Sequence, residues 1–315
     1  MRFLVALLAL GAVVAAGVWT VALPPSAVAM RACVASVVSP GPYPKTATDP
    51  LGARISLSGP PRRIVSLSLS ADEILIDLVA PERIAGLTIF VDDAVSSVAS
   101  AFAPKSAARV TGEAESLLAL SPDLVIASAY TRPDALSLIE GSGTPVIGTG
   151  SLATFDEVLG AVTTLGEAVG ESERAQALVA AMRARIDAVA SRPRERRRRV
   201  LVWDGGFTYG RGTLEDEIVR LAGGENVAFD LRGAASLTEE AAVALDPEVI
   251  IVPVAGHDVE RNSPWLVGAH PIWNAVEAFR RGDVYGLPRA WIGCTSHHAV
   301  RALEALGAIL DRSGA

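Results

Sequence analysis

The stretch 171–192, ESERAQALVAAMRARIDAVASR, constrains the chain most. Ala175, Leu178, Met182, Ile186 and Val189 recur three to four residues apart with no Gly or Pro between them, which predicts a single amphipathic helix stopped by Pro193. About twenty residues at roughly 1.5 Å each make a rod of about 30 Å, the width of a small domain. A rod of that length suits a strut between two bodies.

The sequences on its two sides echo each other. RIVSLSLSADEILIDL (63–78) is answered by RVLVWDGG (199–206) and DEIVRLAGG (216–224), and SLLALSPDLVIAS (116–128) by AAVALDPEVIIVP (241–253). Two echoes in the same order predict a duplication, each copy built of strand, loop and helix. A chain of 315 residues, half of them hydrophobic, is long enough to bury two cores of about 120 residues each. The boundaries read as a 54–170 N-terminal lobe, a 171–193 interlobe helix and a 194–315 C-terminal lobe. A net charge of −7 argues against nucleic acid as a partner, because phosphate contacts need a basic face. The basic run Arg192–Arg199 reads as a solvated hinge.

Arg2, an apolar run and then Ala27-Val28-Ala29 read as a signal peptide over 1–29, which predicts export across the inner membrane to the periplasm. An uncleaved anchor and lipid attachment at Cys33 stand as alternatives, and Cys33 and Cys294 are the only cysteines. Residues 30–53 follow as an N-terminal segment, and the Asp-Pro-Leu-Gly turn at 49–52, between YPKTAT and RISLSG, predicts a hairpin.

Beyond the hairpin, β-branched runs alternate with helical patterns: Arg63–Leu67, Ile84–Leu87, Leu124–Ala127 and Pro145–Gly148 before the strut; Val200–Trp203, Val249–Val252 and Val284–Leu287 after it. That rhythm predicts an α/β fold of parallel βαβ units. Ser70 with Glu73 reads as a capping box, Thr154 and Thr213 as further helix caps, and Phe207–Thr213 as a Gly-rich loop. Ligands of open α/β sheets gather at the carboxyl ends of the strands. Phe90, Tyr130, Arg132, Tyr209, Arg211, Arg289, Trp291 and His297 are therefore the candidate ligand residues. Aromatics offer broad apolar contact, and arginines offer paired donors to anionic oxygens.

Enzyme signatures are weak. Gly148–Ala153 matches G-x-G-x-x-A, yet it does not follow the first strand and no acid closes a following one; there is no P-loop, nucleophile elbow or zinc spacing. His297-His298 could serve a metal or catalysis, but no nucleophile pairs with a base. The chain thus reads as a binding protein, with no enzymatic activity, no cofactor and no structural metal.

The stretches YPKTATDPLGARISLSGPPRRIVSLSLSADEILIDL, ESLLALSPDLVIA, YGRGTLEDEIVRLAGGENVA and LTEEAAVALDPEVIIVP together resemble the solute-binding proteins of ABC importers for iron–siderophore, haem and cobalamin. The resemblance implies two Rossmann-like lobes joined by one long backbone helix, a ligand cleft between them and, for the monomeric chain, an ABC permease dimer in the inner membrane as partner. Three arginines favour an anionic iron chelate or haem over cobalamin; a chelatase-like enzyme of similar shape is the reading from another class. In the resembling family an acid on each lobe docks to the permease. The repeat aligns Asp72-Glu73-Ile74 with Asp216-Glu217-Ile218, which nominates Glu73 and Glu217, with Glu215 as the alternate.

Overall fold

The computed structural model of the protein describes residues 36–48, 54–256, 258–261, 264–268 and 270–312. The signal-like segment, Cys33 and the Asp-Pro-Leu-Gly turn lie outside them. Strands β1 (Val37–Val38), β2 (Lys45–Thr48) and β3 (Arg54–Leu57) form the expected antiparallel sheet.

The first half of the chain then builds β4 (Ile64–Ser66), α1 (Leu69–Leu78), β5 (Ile84–Thr88), β6 (Ala108–Val110), α2 (Ala114–Ala119), β7 (Leu124–Ala127), α3 (Pro133–Gly141) and β8 (Val146–Gly148). Its five strands pair in parallel in the order β6-β5-β4-β7-β8. A parallel sheet is covered on both faces, so its strands are continuous apolar runs; all of β4, β7 and β8 is buried.

Next come α4 (Phe155–Val169) and α5 (Ser172–Ala190), the strut. Thr154 caps α4 by accepting from Glu157 N, and Gly170 closes it at φ +79°, a backbone angle that glycine adopts without strain. After them run β9 (Arg198–Val202), β10 (Phe207–Tyr209), α6 (Leu214–Leu221), β11 (Gly224–Asn226), β12 (Ala234–Ser236), α7 (Glu239–Ala244), β13 (Val249–Val254), β14 (Glu260–Arg261), α8 (Glu277–Arg281), β15 (Val284–Pro288), α9 (Arg289–Ile292) and α10 (Val300–Arg312). The second sheet has the order β11-β9-β13-β15-β14, parallel except for the edge strand β14.

The two sheets share a four-strand parallel core, β5-β4-β7-β8 in one and β11-β9-β13-β15 in the other, and differ at one edge, where the first adds β6 and the second the antiparallel β14. In each, the first strand (β4 or β9) lies between its successor and the strand that follows the Pro turn (β7 or β13). The strand order reverses at that point, where open α/β sheets make a crevice. The duplication read from the sequence echoes therefore extends to strand order.

The strut spans both halves. Ala175 packs in the core of the first sheet, whereas Met182, Ile186 and Val189 pack in the core of the second. Helix α4 does the same in the opposite sense: Val162, Leu165 and Val169 belong to the first core, Phe155, Val158 and Leu159 to the second. Two helices, rather than one, carry apolar packing across the seam.

Two local expectations are corrected. The cap of α1 is Ser68, which accepts from Ala71 N, and not Ser70. The loop expected at Phe207–Thr213 contains β10, which pairs antiparallel with β12. A three-residue strand beside glycines carries too little alternation to be seen in sequence.

Candidate functional site

The carboxyl ends of the two sheets are brought together by α1 and the loop 293–299. The Ser70 hydroxyl, in the first turn of α1, bonds to that of Thr295 beyond β15. On the side of the first sheet, β5 runs into a short 3-10 turn (Ile89–Asp92) that leaves Phe90 57% exposed, and the loop after β7 leaves Tyr130 89% exposed. That loop is held by its own polar atoms: Ser128 N donates to Thr131 Oγ1 at 3.0 Å and Tyr130 N to Ser128 Oγ at 3.3 Å. Phe90, Tyr130 and Arg132 line a concavity of about 230 Å³ with Leu67, Thr88 and Thr111. The structure thus groups three of the residues nominated from sequence.

At the carboxyl ends of the second sheet, Asp204 follows β9 and Arg289 follows β15. Arg289 donates through both terminal nitrogens to Asp204, at 2.8 and 2.6 Å, and Tyr209 Oη donates to the same carboxylate at 2.9 Å. The Arg289 guanidinium holds the Asp204 carboxyl below its usual range, while burial pushes the Tyr209 phenol upward. Trp291 is half-buried against the core of the second sheet, and Arg211 is exposed at a bridge to Arg232. Phe207, 52% exposed just past Gly205-Gly206, and Asp204 were not singled out from sequence; an acid and an aromatic flanking two glycines after a strand was the available signal.

His297 does not join this group. It is 5% exposed and bonds through Nε2 to Asp77 Oδ2 at 2.7 Å, in the last turn of α1. Ser70, Glu73 and Asp77, three and four residues apart, share one helix face and form a polar stripe along the seam. Glu73 is 1% exposed. Its carboxylate accepts from Val98 N at 2.9 Å, Ser97 Oγ at 3.3 Å, Cys294 Sγ at 3.2 Å and Ser296 Oγ at 2.5 Å.

That placement corrects the docking reading. Burial leaves neither Glu73 nor Glu215, 9% exposed, a free carboxylate to offer a partner. Glu217, whose side chain is 17% exposed, accepts from Phe155 N at the start of α4 and from Arg220 at 3.1 Å. The repeat-related glutamates 73 and 217 are both fasteners at the seam. The second echo contains a better-placed pair: Glu115 and Glu240 each precede the matched helix-and-Pro-turn segment, sit in the first turns of α2 and α7, and are exposed. Because α2 and α7 lead directly into β7 and β13, they run antiparallel to those strands, and their first turns lie at the carboxyl ends of the sheets.

Beside the concavity, Asp72 is fully buried. Its Oδ2 accepts from Thr88 N at 3.1 Å and Thr88 Oγ1 at 2.5 Å, and its Oδ1 has no partner. Burial raises its pKa from 3.8 to about 7. Between about pH 4 and 7 the folded chain holds a proton that the unfolded chain releases, so stability falls as pH rises through this window and levels off above it. Three pKa units correspond to about 4 kcal/mol. Urea unfolding at pH 5 and 8 is expected to show the part of this loss that falls above pH 5, about 2.7 kcal/mol, and Asp72→Asn to be the more stable form at pH 8; a wild-type midpoint equal at both pH values would contradict it. Glu215, raised to about 7 by burial, adds a slope of the same sign that Asp72→Asn leaves in place.

A profile of the periplasmic binding protein family matches residues 64–290, from the first strand of one sheet to the last parallel strand of the other. The chain belongs to that family. Among curated relatives, a cobalamin-binding protein of Halobacterium salinarum is 26% identical over 257 residues, covering 77% of this chain and 67% of that one. An uncharacterized ABC transporter substrate-binding lipoprotein of Bacillus subtilis, YvrC, is 26% identical over 261 residues, covering 77% and 78%. The crystal structure of the periplasmic vitamin B12 binding protein BtuF of Vibrio cholerae superimposes with a TM-score of 0.65 at 20% identity, covering 81% of this chain and 98% of that one. At that identity the likeness establishes the two-lobed fold of this periplasmic binding protein, and its ligand has to be argued from the site.

Proposed function

We propose that this periplasmic binding protein captures a cobalamin-type corrinoid outside the cytoplasmic membrane and delivers it, as a single chain, to an ABC permease dimer. The observation that carries the choice is the charge balance of the cleft. Arg289 is neutralised by Asp204, and Arg132 is outnumbered by Glu113 at 3.1 Å and Asp134 at 2.5 Å. An anionic iron chelate or haem would need donors that are free, and these have acids of the same chain on them. The Arg132 pairs are surface-exposed and cheap to break, but the half-buried, two-pronged Arg289–Asp204 pair with its tyrosine donor is not. Beside Arg211, which is exposed, what remains open to a ligand is aromatic: Phe90, Tyr130 and Phe207. A macrocycle rimmed by neutral amides fits such walls. The cobalamin-binding relative from Halobacterium supports the same choice.

Titration of the purified protein by tryptophan fluorescence tests this, since Trp203 is at the end of β9 and Trp291 is at the rim. Cyanocobalamin is expected to bind at least 100-fold more tightly than haemin or a ferric siderophore. Tyr130→Ala, at a fully solvated position that does not support the fold, should weaken it about tenfold, the loss of one aromatic contact. Tight binding of haemin with none of cobalamin would overturn the reading.

A further inference from the structure

Beyond the cleft, the seam between the lobes holds three metal-ligating side chains that the proposed ligand capture does not use. Asp77 lies in the last turn of α1, seven residues and about 10 Å along the axis from the cleft-side Ser70. Opposite it, on the loop preceding α10, the rings of His297 and His298 stack with centroids 3.9 Å apart and direct both Nε2 atoms at the same carboxylate oxygen, at 2.7 and 3.8 Å. One ligand atom from each of the three lies within 4.8 Å of the others.

We propose that Asp77, His297 and His298 form a binding site for a divalent transition-metal ion, of the Zn²⁺, Ni²⁺ or Cu²⁺ class, that joins the two lobes at their seam. Three observations converge on it. Ligands bonded at about 2.0–2.1 Å in tetrahedral geometry stand about 3.3 Å apart, and the two measured separations bracket that value. His298 is nine-tenths buried, yet its Nε2 has no hydrogen-bond partner; a buried imidazole nitrogen left in that condition is costly, and a metal would satisfy it. Asp77 is 38% exposed, which leaves an entry path from solvent and access for a fourth ligand.

The surrounding charge selects the class. Arg174, Arg185 and Arg301 lie within electrostatic reach, and among the described residues Arg185 is cancelled by a two-pronged pair with Glu304. One carboxylate among cations cannot hold Mg²⁺ or Ca²⁺, which need several oxygens, whereas two imidazoles favour the later transition metals. With the ion on His297 Nε2, that ring carries its proton on Nδ1. The ion is separate from any metal within a bound chelate, because the cleft residues lie at the other end of α1.

The test uses tag-free mature protein stripped with a chelator and titrated with Zn²⁺ by calorimetry, alongside Cu²⁺ electron paramagnetic resonance. One equivalent per chain at micromolar affinity is expected, with a Cu²⁺ spectrum showing two nitrogen ligands and a rise of several degrees in melting temperature. His298→Gln should weaken Zn²⁺ at least 30-fold, and Asp77→Asn, at a half-exposed position that tolerates change, at least tenfold. No binding below 100 µM Zn²⁺ overturns the proposal. So does undiminished binding in both variants, or a Cu²⁺ spectrum without nitrogen ligands.

Discussion

Glu73→Ala is expected to lower the melting temperature by about 10 °C and to lower the unfolding free energy by about 3–5 kcal/mol. The carboxylate accepts four bonds in a site that is 1% exposed, so truncation strands a backbone amide, two hydroxyls and a thiol without water to replace it. Two of the four donors, Cys294 and Ser296, belong to the loop before α10, so the loss also unfastens the lobes. Ser296→Ala removes one donor and leaves three, and should cost about 1–2 kcal/mol. Thermal unfolding of both variants decides the matter: equal melting temperatures for Glu73→Ala and wild type would show that the seam does not depend on this group.

Charge reversal at Glu115 and Glu240 together, to arginine, is expected to reduce ligand uptake by more than tenfold in cells while ligand affinity of the purified protein changes less than twofold. Both acids are exposed in the first turns of repeat-related helices, one per lobe, at the end of the molecule where the cleft opens. Exposed charges set encounter and register with a partner of opposite sign and contribute little to folding, so reversal should leave stability intact. Reversal at Glu73 and Glu217 should instead fail at the level of the fold, since both side chains are spent on contacts at the seam. Uptake retained by the Glu115/Glu240 double variant would remove the docking assignment.

The two classes of glutamate show where sequence reasoning stopped. Alignment pairs Glu73 with Glu217 in the first echo and Glu115 with Glu240 in the second, and alignment alone does not rank the two pairs. Glu73 and Glu217 stand in the helix that follows the first strand of each sheet, and there their carboxylates are held by contacts at the seam. The ligand residues divide in the same way. Phe90 follows β5, and Tyr130 and Arg132 both follow β7, the two strands that flank β4, so strand order brings the three together. Arg289 was read as a free donor because its acid, Asp204, is 85 residues away. His297 was read as a cleft residue because it follows the last strand, yet the loop carries it along α1 to Asp77.

The α/β class, the long helix, the duplicated order of elements, the caps at Thr154 and Thr213, and the family are legible in the sequence, because these are written in apolar periodicity and in residues a few positions apart. Only the tertiary structure decided which polar groups are spent inside the molecule and which are left for partners. Asp204 on Arg289, Glu73 on the 294–296 loop and Asp77 on the histidine pair are contacts between segments 85 to 223 residues apart. Periodicity identifies the buried face of an element, but what that face meets depends on how the two lobes close on each other, and no local pattern encodes that.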